Sequence, residues 1–491
     1  MDMVIEKDNL IQDFTQICGS KNVIEDPELL KDYSEDLGFL KGKIPKLLIR
    51  ASKTKQIIQI LKLANTMKLT LVPVSSSSKL KHHGDIIPRK ENSIIIDLTK
   101  MNKVISIDKK NRVVMIEPGV TFEQLIPTLE KKGLRLLTPL YPTGSKSVVT
   151  SALEREPITI PRYHWDSSDP LLCTEVVFGT GDLFRTGTAA GPGTISQQKK
   201  MGRAQVNPMG PTQFSPFRVI QGAQGSLGIV TWATLKLELI PTIQEVFHYH
   251  SNNIEELLDF QQQLMKFRLC DETFILNRLN LASIVNDSTE EITKISESLL
   301  NWNLIFVLAG RGDLATDKID YLKGDVNEII TQAKLDHLKA PKLFDNEEFL
   351  RSINGFTLKP WRLRFKDSFQ DIFFISKLES IPKYIKQVDL KFPKNLGVYI
   401  QPINQGTSYH CEFDYYYDCT NETEKSELYN ELNEVRTDLM KNGAFFNRPY
   451  GTWAKDVFKH QSDQTTIALK KVKKIFDPNN ILNPGVLCFD D

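Results

Sequence analysis

Runs of β-branched and aliphatic residues alternate with helical spacing through the first 240 residues. KLLIRA (46–51), LTLVPV (69–74) and SIIIDL (93–98) read as strands, and TKQIIQILKLANTMK has apolar residues at helical intervals from Thr54. VISIDKKNRVVMIEPG (104–119) predicts a hairpin turning at Lys109–Asn111, and TEVVFGTGDLFRTG (174–187) a second one around Gly179–Gly181. TFEQLIPTLEKKG predicts a short helix capped by Thr121 and stopped at Gly133. Past Pro241 the pattern changes. EVFHYHS, NIEELLDFQQQLMKF and LNWNLIFVLAG suggest β–α–β units, LGVYIQPI and TSYHCEFDYYYD (407–418) add strands, and TEKSELYNELNEVRTDLMKNG a helix. Antiparallel strands with helices on one face make an α+β second domain. The expected division is 1–240 (core about 40–240), 241–445, and a C-terminal segment 446–491 with a helix ending at Pro478.

Composition adds exclusions. Lys and Arg number 62 against 61 Asp and Glu, so nothing in the charge points to nucleic acid. No uninterrupted apolar run reaches the ~18 residues of a membrane span. The start, MDMVIEKDNLIQDF, lacks the basic and apolar regions of a secretory signal, so a cytoplasmic location is expected. The six cysteines are dispersed and form no C-x-x-C pair, which argues against a disulfide scaffold or a zinc ribbon. No metal is expected.

The most informative segment is Gln221-Gly222-Ala223-Gln224-Gly225-Ser226-Leu227-Gly228-Ile229-Val230-Thr231. Glycines at spacing three let backbone N–H groups come close to a ligand. No G-K-[ST] follows, so this is not a Walker loop, and it runs into a strand, so it is not the Rossmann fingerprint. A tight turn beside a core strand would also explain it. Ile116-Glu117-Pro118-Gly119-Val120-Thr121 and the terminal FDPNNILNPG (476–485) add weight to the ligand reading.

In this order, these segments resemble the vanillyl-alcohol oxidase and 4-cresol dehydrogenase type of FAD-binding flavoprotein, over nearly the whole chain. Glu154-Arg155, Arg185-Thr186-Gly187 and Gly210-Pro211 are similar to its para-substituted phenol branch. The resemblance implies an α+β protein: a two-subdomain FAD-binding (PCMH-type) domain plus an antiparallel-sheet, helix-covered cap domain over the substrate. It implies FAD held by Pro73, Ser75, Ser76, Ser77, Ser78, Lys79, Pro118, Gly119, Gly222, Gly225, Ser226, Gly228, Ile229, Val230 and Asn483. The pyrophosphate would lie near Ser75–Ser78 and Gly119, and the adenine end near Gly222–Val230.

Departures shape the remaining expectations. The pyrophosphate loop is four serines where the family has glycines, so hydroxyls would supplement amides. The paired-histidine metal segment of the 2-hydroxy-acid branch is absent. Asp371 stands where the phenol branch attaches flavin through a histidine, so FAD is expected to be non-covalent unless His82 or His83 attaches it. By resemblance, Asp166 falls near the flavin N5, and Arg448 matches an arginine that neutralises a substrate anion or reduced flavin. Asn447 and His83 replace two phenolate-binding tyrosines.

His410 shares one face of its strand with Glu412, Asp414 and Tyr416, and that face either lines the substrate cavity or meets solvent. His248 and His250 read as structural, while Trp361, Arg362 and Arg364 would bind a carboxylate or sit on the surface.

The implied activity is removal of a hydride from an activated C–H of an alcohol or related, possibly aromatic, substrate. Asp166, Arg448, His410 and His83 are the catalytic candidates. A small-molecule substrate, an electron-acceptor protein and a homodimer are the partners considered. An FAD-binding electron-relay subunit and a non-redox enzyme like alkyldihydroxyacetonephosphate synthase are the alternatives.

Overall fold

A computed structural model describes residues 7–76, 82–84, 86–161, 170–203, 205–207, 219–338, 344–389 and 395–489. Three sheets organise them. The first runs Val23–Ile24, Leu47–Arg50, Ile94–Asp97, Leu71–Val74, and its last three strands are parallel. Covered on both faces, these strands are almost uniformly Leu, Ile and Val. Helix Thr54–Met67 makes the crossover, burying Ile57, Ile60, Leu61 and Ala64.

The second sheet is antiparallel: Val104–Asp108, Val113–Ile116, Gly228–Leu239, Leu171–Phe178 and Leu183–Arg185 in order, with Leu134–Leu136 pairing the far end of Gly228–Leu239. Both predicted hairpins are present. Thr121 does occupy the N-cap of helix Phe122–Glu130, but its side chain makes no capping bond. Its backbone instead bridges to Ser147.

The third sheet, also antiparallel, runs Ile243–Ser251, Trp302–Gly310, Thr273–Asn277, Leu396–Ile403, Ser408–Tyr416, Phe369–Ser376. Helices Ile254–Lys266, Ala315–Ala333, Ile381–Asp389 and Glu422–Lys441 contribute to one apolar cluster on it. The strand that follows the opening strand–helix unit in the chain is Thr273–Asn277, five residues that the pattern does not single out, while Ile243–Ser251 itself pairs with Trp302–Gly310. On the other side of the sheet, Phe274, Leu276 and Tyr399 share a cluster with Leu140 from the first half of the chain.

Two devices tie these layers together. Arg135, on the short strand of the second sheet, donates to Glu272 (2.6 Å), Asp271 (2.9 Å) and Glu238 (3.1 Å), and Arg311 joins Asp271 and Glu238. The tail returns to the first sheet: Leu71 N–H donates to Ile481 (2.7 Å) and Asn483 N–H donates to Leu71 (2.8 Å). Lys473, buried in helix Asp463–Phe476, donates to the carbonyls of Ser226 and Leu482 and to Asp477.

Among the described residues, no helix is long and apolar enough to cross a membrane, and no cluster of metal-ligating side chains occurs.

Candidate active site

A cavity of about 330 Å³ opens where the three sheets meet. Its walls come from the ends of local elements. Pro73, Val74, Ser75 and Ser76 lie where a parallel strand of the first sheet ends, and Gly222, Ala223, Gln224 and Gly225 form the turn that leads into Gly228–Leu239. Asp371, Phe373, Tyr399 and Glu412 project from the third sheet, and Arg448 and Tyr450 come from the chain after it.

The turn needs glycine. Gly222, Gln224 and Gly225 have φ of 68°, 50° and 67°, and a Cβ on Gly225 would lie 2.5 Å from Pro73 Cγ. The N–H groups of Gln224 and Gly225 have no hydrogen-bond partner among the described residues. The tail fixes the turn from behind: Asn483 donates to the Gln224 carbonyl (2.8 Å) and Gln224 donates to Pro449 (2.7 Å). Opposite, the Ser75 hydroxyl pairs with Thr150, and the Ser76 hydroxyl accepts from Ser147 N–H at 3.0 Å. Unengaged amides facing two hydroxyl-bearing residues suit a phosphate-bearing ligand.

Buried charge pairs line the rest. His83 Nε2 lies 3.1 Å from Asp371 Oδ2, and His82 Nε2 3.4 Å from Oδ1. Burial opposes the His83 imidazolium, but the Asp371 charge and hydrogen bond outweigh it and raise its pKa above the usual value. Burial likewise opposes the Asp371 carboxylate, yet the two histidines hold its pKa well below the usual range. Lys146 bridges Glu154 (2.8 Å) and Glu156 (2.7 Å). Burial disfavours ionised Glu156, but Lys146 and then Arg448 bring its pKa to about 2. Arg362 stacks on Trp361 and pairs with Glu412 and Asp414. Burial again works against ionised Glu412, and Arg362 overrides it, to about 2. Asp414, deeper and bonded to Asn280, is pushed well above the usual value by burial and by Glu412.

Arg448 differs from these. Its guanidinium sits over the Phe373 ring at 4.3 Å, its side chain is buried, and it makes no hydrogen bond among the described residues. A buried guanidinium without hydrogen-bond partners is costly unless a ligand supplies an acceptor.

The structure places the sequence candidates unequally. Pro73, Ser75, Ser76, Pro118, Gly222, Gly225, Gly228, Ile229, Val230, His83 and Arg448 line the cavity. Gly119, Ser226, Asn483 and His410 stand behind it. Gly119 packs against the Leu98, Thr99 and Met101 carbonyls, and Ser226 bonds Ala223. His410 is 2 % exposed and bonds Glu412 at 3.0 Å. Its face of the strand is therefore buried, so the solvent-facing alternative is set aside. Asp166, Ser77, Ser78 and Lys79 lie outside the described residues. Arg362 is a wall residue, whereas Arg364 bonds the Ser283 and Ile284 carbonyls. His248 bonds Asn303, and burial lowers its pKa to about 4, as a structural histidine would behave. Sequence reasoning missed Lys146, Glu156, Tyr399 and Tyr450. The one signal for the first two was Lys-x-x-x-x-x-x-x-Glu-Arg-Glu inside an otherwise apolar stretch.

Residues 45–187 match the FAD binding domain family, and residues 451–487 the C-terminal domain of FAD linked oxidases. These matches make the chain an FAD-linked oxidoreductase with FAD as its cofactor, on the two-domain fold of the PCMH-type flavoproteins. Its relatives include D-lactate dehydrogenase of Anaerostipes hadrus, 22% identical across 98% of this chain and 97% of that protein. The 4-cresol dehydrogenase [hydroxylating] flavoprotein subunit of Pseudomonas putida is 26% identical over 39% of this chain and 37% of its own length. Among solved structures, p-cresol methylhydroxylase with substrate bound superposes with a TM-score of 0.84, at 20% identity, covering 98% of this chain and 97% of that one. The likeness to solved structures is one of fold.

Proposed function

We propose that the protein removes hydride from an activated C–H of an alcohol or related substrate bound in the cavity between the sheets. FAD, when bound, accepts the two electrons. The observation that carries this reading is Arg448, a buried cation without a hydrogen-bonding partner among the described residues, on the wall of a cavity that also presents the Gln224 and Gly225 amides. Arg448 would hold negative charge on the substrate or on reduced flavin, a use for which a permanently charged fork is suited. His410 acts through Glu412 as a positioning group, and Asp166 retains the role that the resemblance gives it beside the flavin.

Further parts of the reading follow. With Asp371 bonded to His83 at the position of the family's linking histidine, FAD is held non-covalently. The substrate domain comprises residues 241–445, since the second sheet ends at Leu239 and the third begins at Ile243, and 446–491 returns to the FAD side. The protein works in the cytoplasm, as a homodimer, and hands electrons to an acceptor protein; the relative that supports the acceptor is D-lactate dehydrogenase [cytochrome], mitochondrial, of Arabidopsis thaliana.

The test is anaerobic. The purified yellow protein is mixed with D-lactate, glycolate, 4-cresol or vanillyl alcohol and the flavin band followed. Bleaching by at least one is expected; a band that none bleaches would support a relay or non-redox role instead. Acid precipitation should leave the colour in solution.

A further inference from the structure

We propose that His83 and Asp371 form a proton-accepting dyad, in which His83 Nδ1 takes the proton of a substrate hydroxyl while Asp371 holds the ring from behind. The proposal rests on the oxidoreductase reading given above and assigns its base.

Four observations carry it. His83 lines the cavity, and its Nε2 is the nitrogen engaged by Asp371, at 3.1 Å. Its Nδ1 has no hydrogen-bond partner among the described residues. A carboxylate on one ring nitrogen fixes the proton there in the neutral ring, leaving the lone pair on the other. The ring is also immobilised: it stacks on Tyr450 at 4.7 Å and 17°, and meets Phe373 edge-on at 5.6 Å. Finally, Asp371 is fixed in a central register position, paired with Asp414 across the strands and touching both His82 and His83. The dyad joins the first sheet to the third: its histidine lies in the chain between the strands Leu71–Val74 and Ile94–Asp97 of the first, and its carboxylate on a strand of the third.

In the step itself, the substrate O–H bond breaks and its electron pair stays on oxygen. The Nδ1 lone pair takes the proton, and the imidazolium formed is balanced by the Asp371 carboxylate. No electron is gained or lost by the protein. Arg448, which sits over the Phe373 ring that His83 also meets and lines the same cavity, is the cation assigned to oppose the alkoxide charge. The charged or titratable groups facing His83 are Asp371, His82, Glu154, Lys146 and Tyr450. Asp371 and Glu154 favour its protonated form, and Lys146 disfavours it. His83 is the catalytic group and Asp371 a positioning one.

The test reads the ring directly and needs no substrate. With ¹⁵N-histidine in the FAD-loaded protein, the eight histidines give eight pairs of ring signals, and the His83 pair is the one lost in His83→Gln. Above its pKa, His83 should be the Nε2–H tautomer with an unprotonated Nδ1. Asp371→Asn should lower the His83 pKa by about 1–3 pH units, and Asp371→Glu should keep it raised. An Nδ1–H tautomer in the wild-type protein, or an unchanged pKa in Asp371→Asn, overturns the dyad even if the oxidoreductase reading stands.

The kinetic counterpart uses whichever of D-lactate, glycolate, 4-cresol or vanillyl alcohol bleaches the flavin. A base works when neutral, so reduction should rise with pH through the His83 pKa, and that limb should move to lower pH in Asp371→Asn. If none bleaches, the oxidoreductase reading fails while the tautomer and pKa still decide the dyad.

Discussion

Replacing Arg135 by methionine removes the cation that joins the second sheet to the third. Glu272 is the group that feels it most: its side chain is 1 % exposed, one oxygen takes Arg135 Nη1 at 2.6 Å, and the other has no partner among the described residues. At that distance and an effective dielectric of ~20, the Coulomb attraction is about 6 kcal/mol. Desolvation of the guanidinium, which methionine avoids, offsets part of it, so Arg135→Met should destabilise by about 3–5 kcal/mol. The loss should depend on pH. Burial already raises the Glu272 pKa, and Arg135 is what opposes the rise. Without Arg135 the folded-state pKa goes higher, while the unfolded value stays near ~4.3. A carboxyl raised on folding stabilises the fold below its unfolded pKa and loses that contribution as pH climbs through the folded one. The deficit should therefore be larger at pH 8 than at pH 5. Urea unfolding at both values, followed by tryptophan fluorescence and by far-ultraviolet dichroism, measures it. Adding Glu272→Gln should recover most of the loss, because no buried charge is then left without its partner. A pH-independent loss, or no recovery in the double variant, would refute the electrostatic account.

Gly225→Val places a β-branched residue at φ 67°, with its Cβ 2.5 Å from Pro73 Cγ, so the purified protein should carry much less FAD per chain. Arg448→Ala should leave the protein folded and yellow but slow flavin reduction by about 10²–10³, the usual cost of losing one charge-stabilising donor; stopped-flow absorbance reads this, and an unchanged rate would remove Arg448 from the chemistry. Lys473→Met deprives the buried Asp477 and the Ser226 and Leu482 carbonyls of their common donor. Amide exchange should then speed up at residues 222–228 and 477–483 together, and FAD affinity should fall with it.

Much of the fold is legible because its strands announce themselves locally. Leu47–Arg50, Ile94–Asp97 and Leu71–Val74 are almost wholly apolar up to the Arg50–Asp97 ion pair since both their faces are covered, and Gly222 and Gly225 mark a turn at positive φ that favours glycine. Thr273–Asn277 is not legible: five residues flanked by charge resemble a loop until Trp302–Gly310 and Leu396–Ile403 enclose them. The cap at Thr121 misleads for a related reason, because the tertiary bridge to Ser147 decides the local geometry. The site is half legible. Its backbone cradle follows from motifs, but its contacts join distant residues: the His83–Asp371 pair spans 288 positions and the Asn483–Gln224 hydrogen bond 259. Periodicity and spacing contain no term for such pairs. Asp371 shows this best: in the sequence it is the place where a histidine is missing, and in the structure it is the partner of two histidines from another domain.

The charges on the cavity wall belong together as a set. Lys146 answers Glu154 and Glu156, Arg362 answers Glu412, and His83 answers Asp371, while Arg448 bonds none of the described residues. Cations and anions on the wall balance only when His83 carries its proton; with neutral His83 the wall has one carboxylate in excess. Buried charge is tolerated when it is paired, so the neutral-histidine state is the less favourable electrostatically and draws a proton inward. Moving the proton of a bound hydroxyl to His83 leaves the net charge of the cavity unchanged, and it puts the imidazolium beside Asp371 and the negative oxygen toward Arg448, a wall guanidinium that bonds no described residue. The same arrangement gives Asp371 a task at this position of the strand. A carboxylate there sets the charge and the tautomer of the neighbouring ring, which an apolar replacement would leave unset.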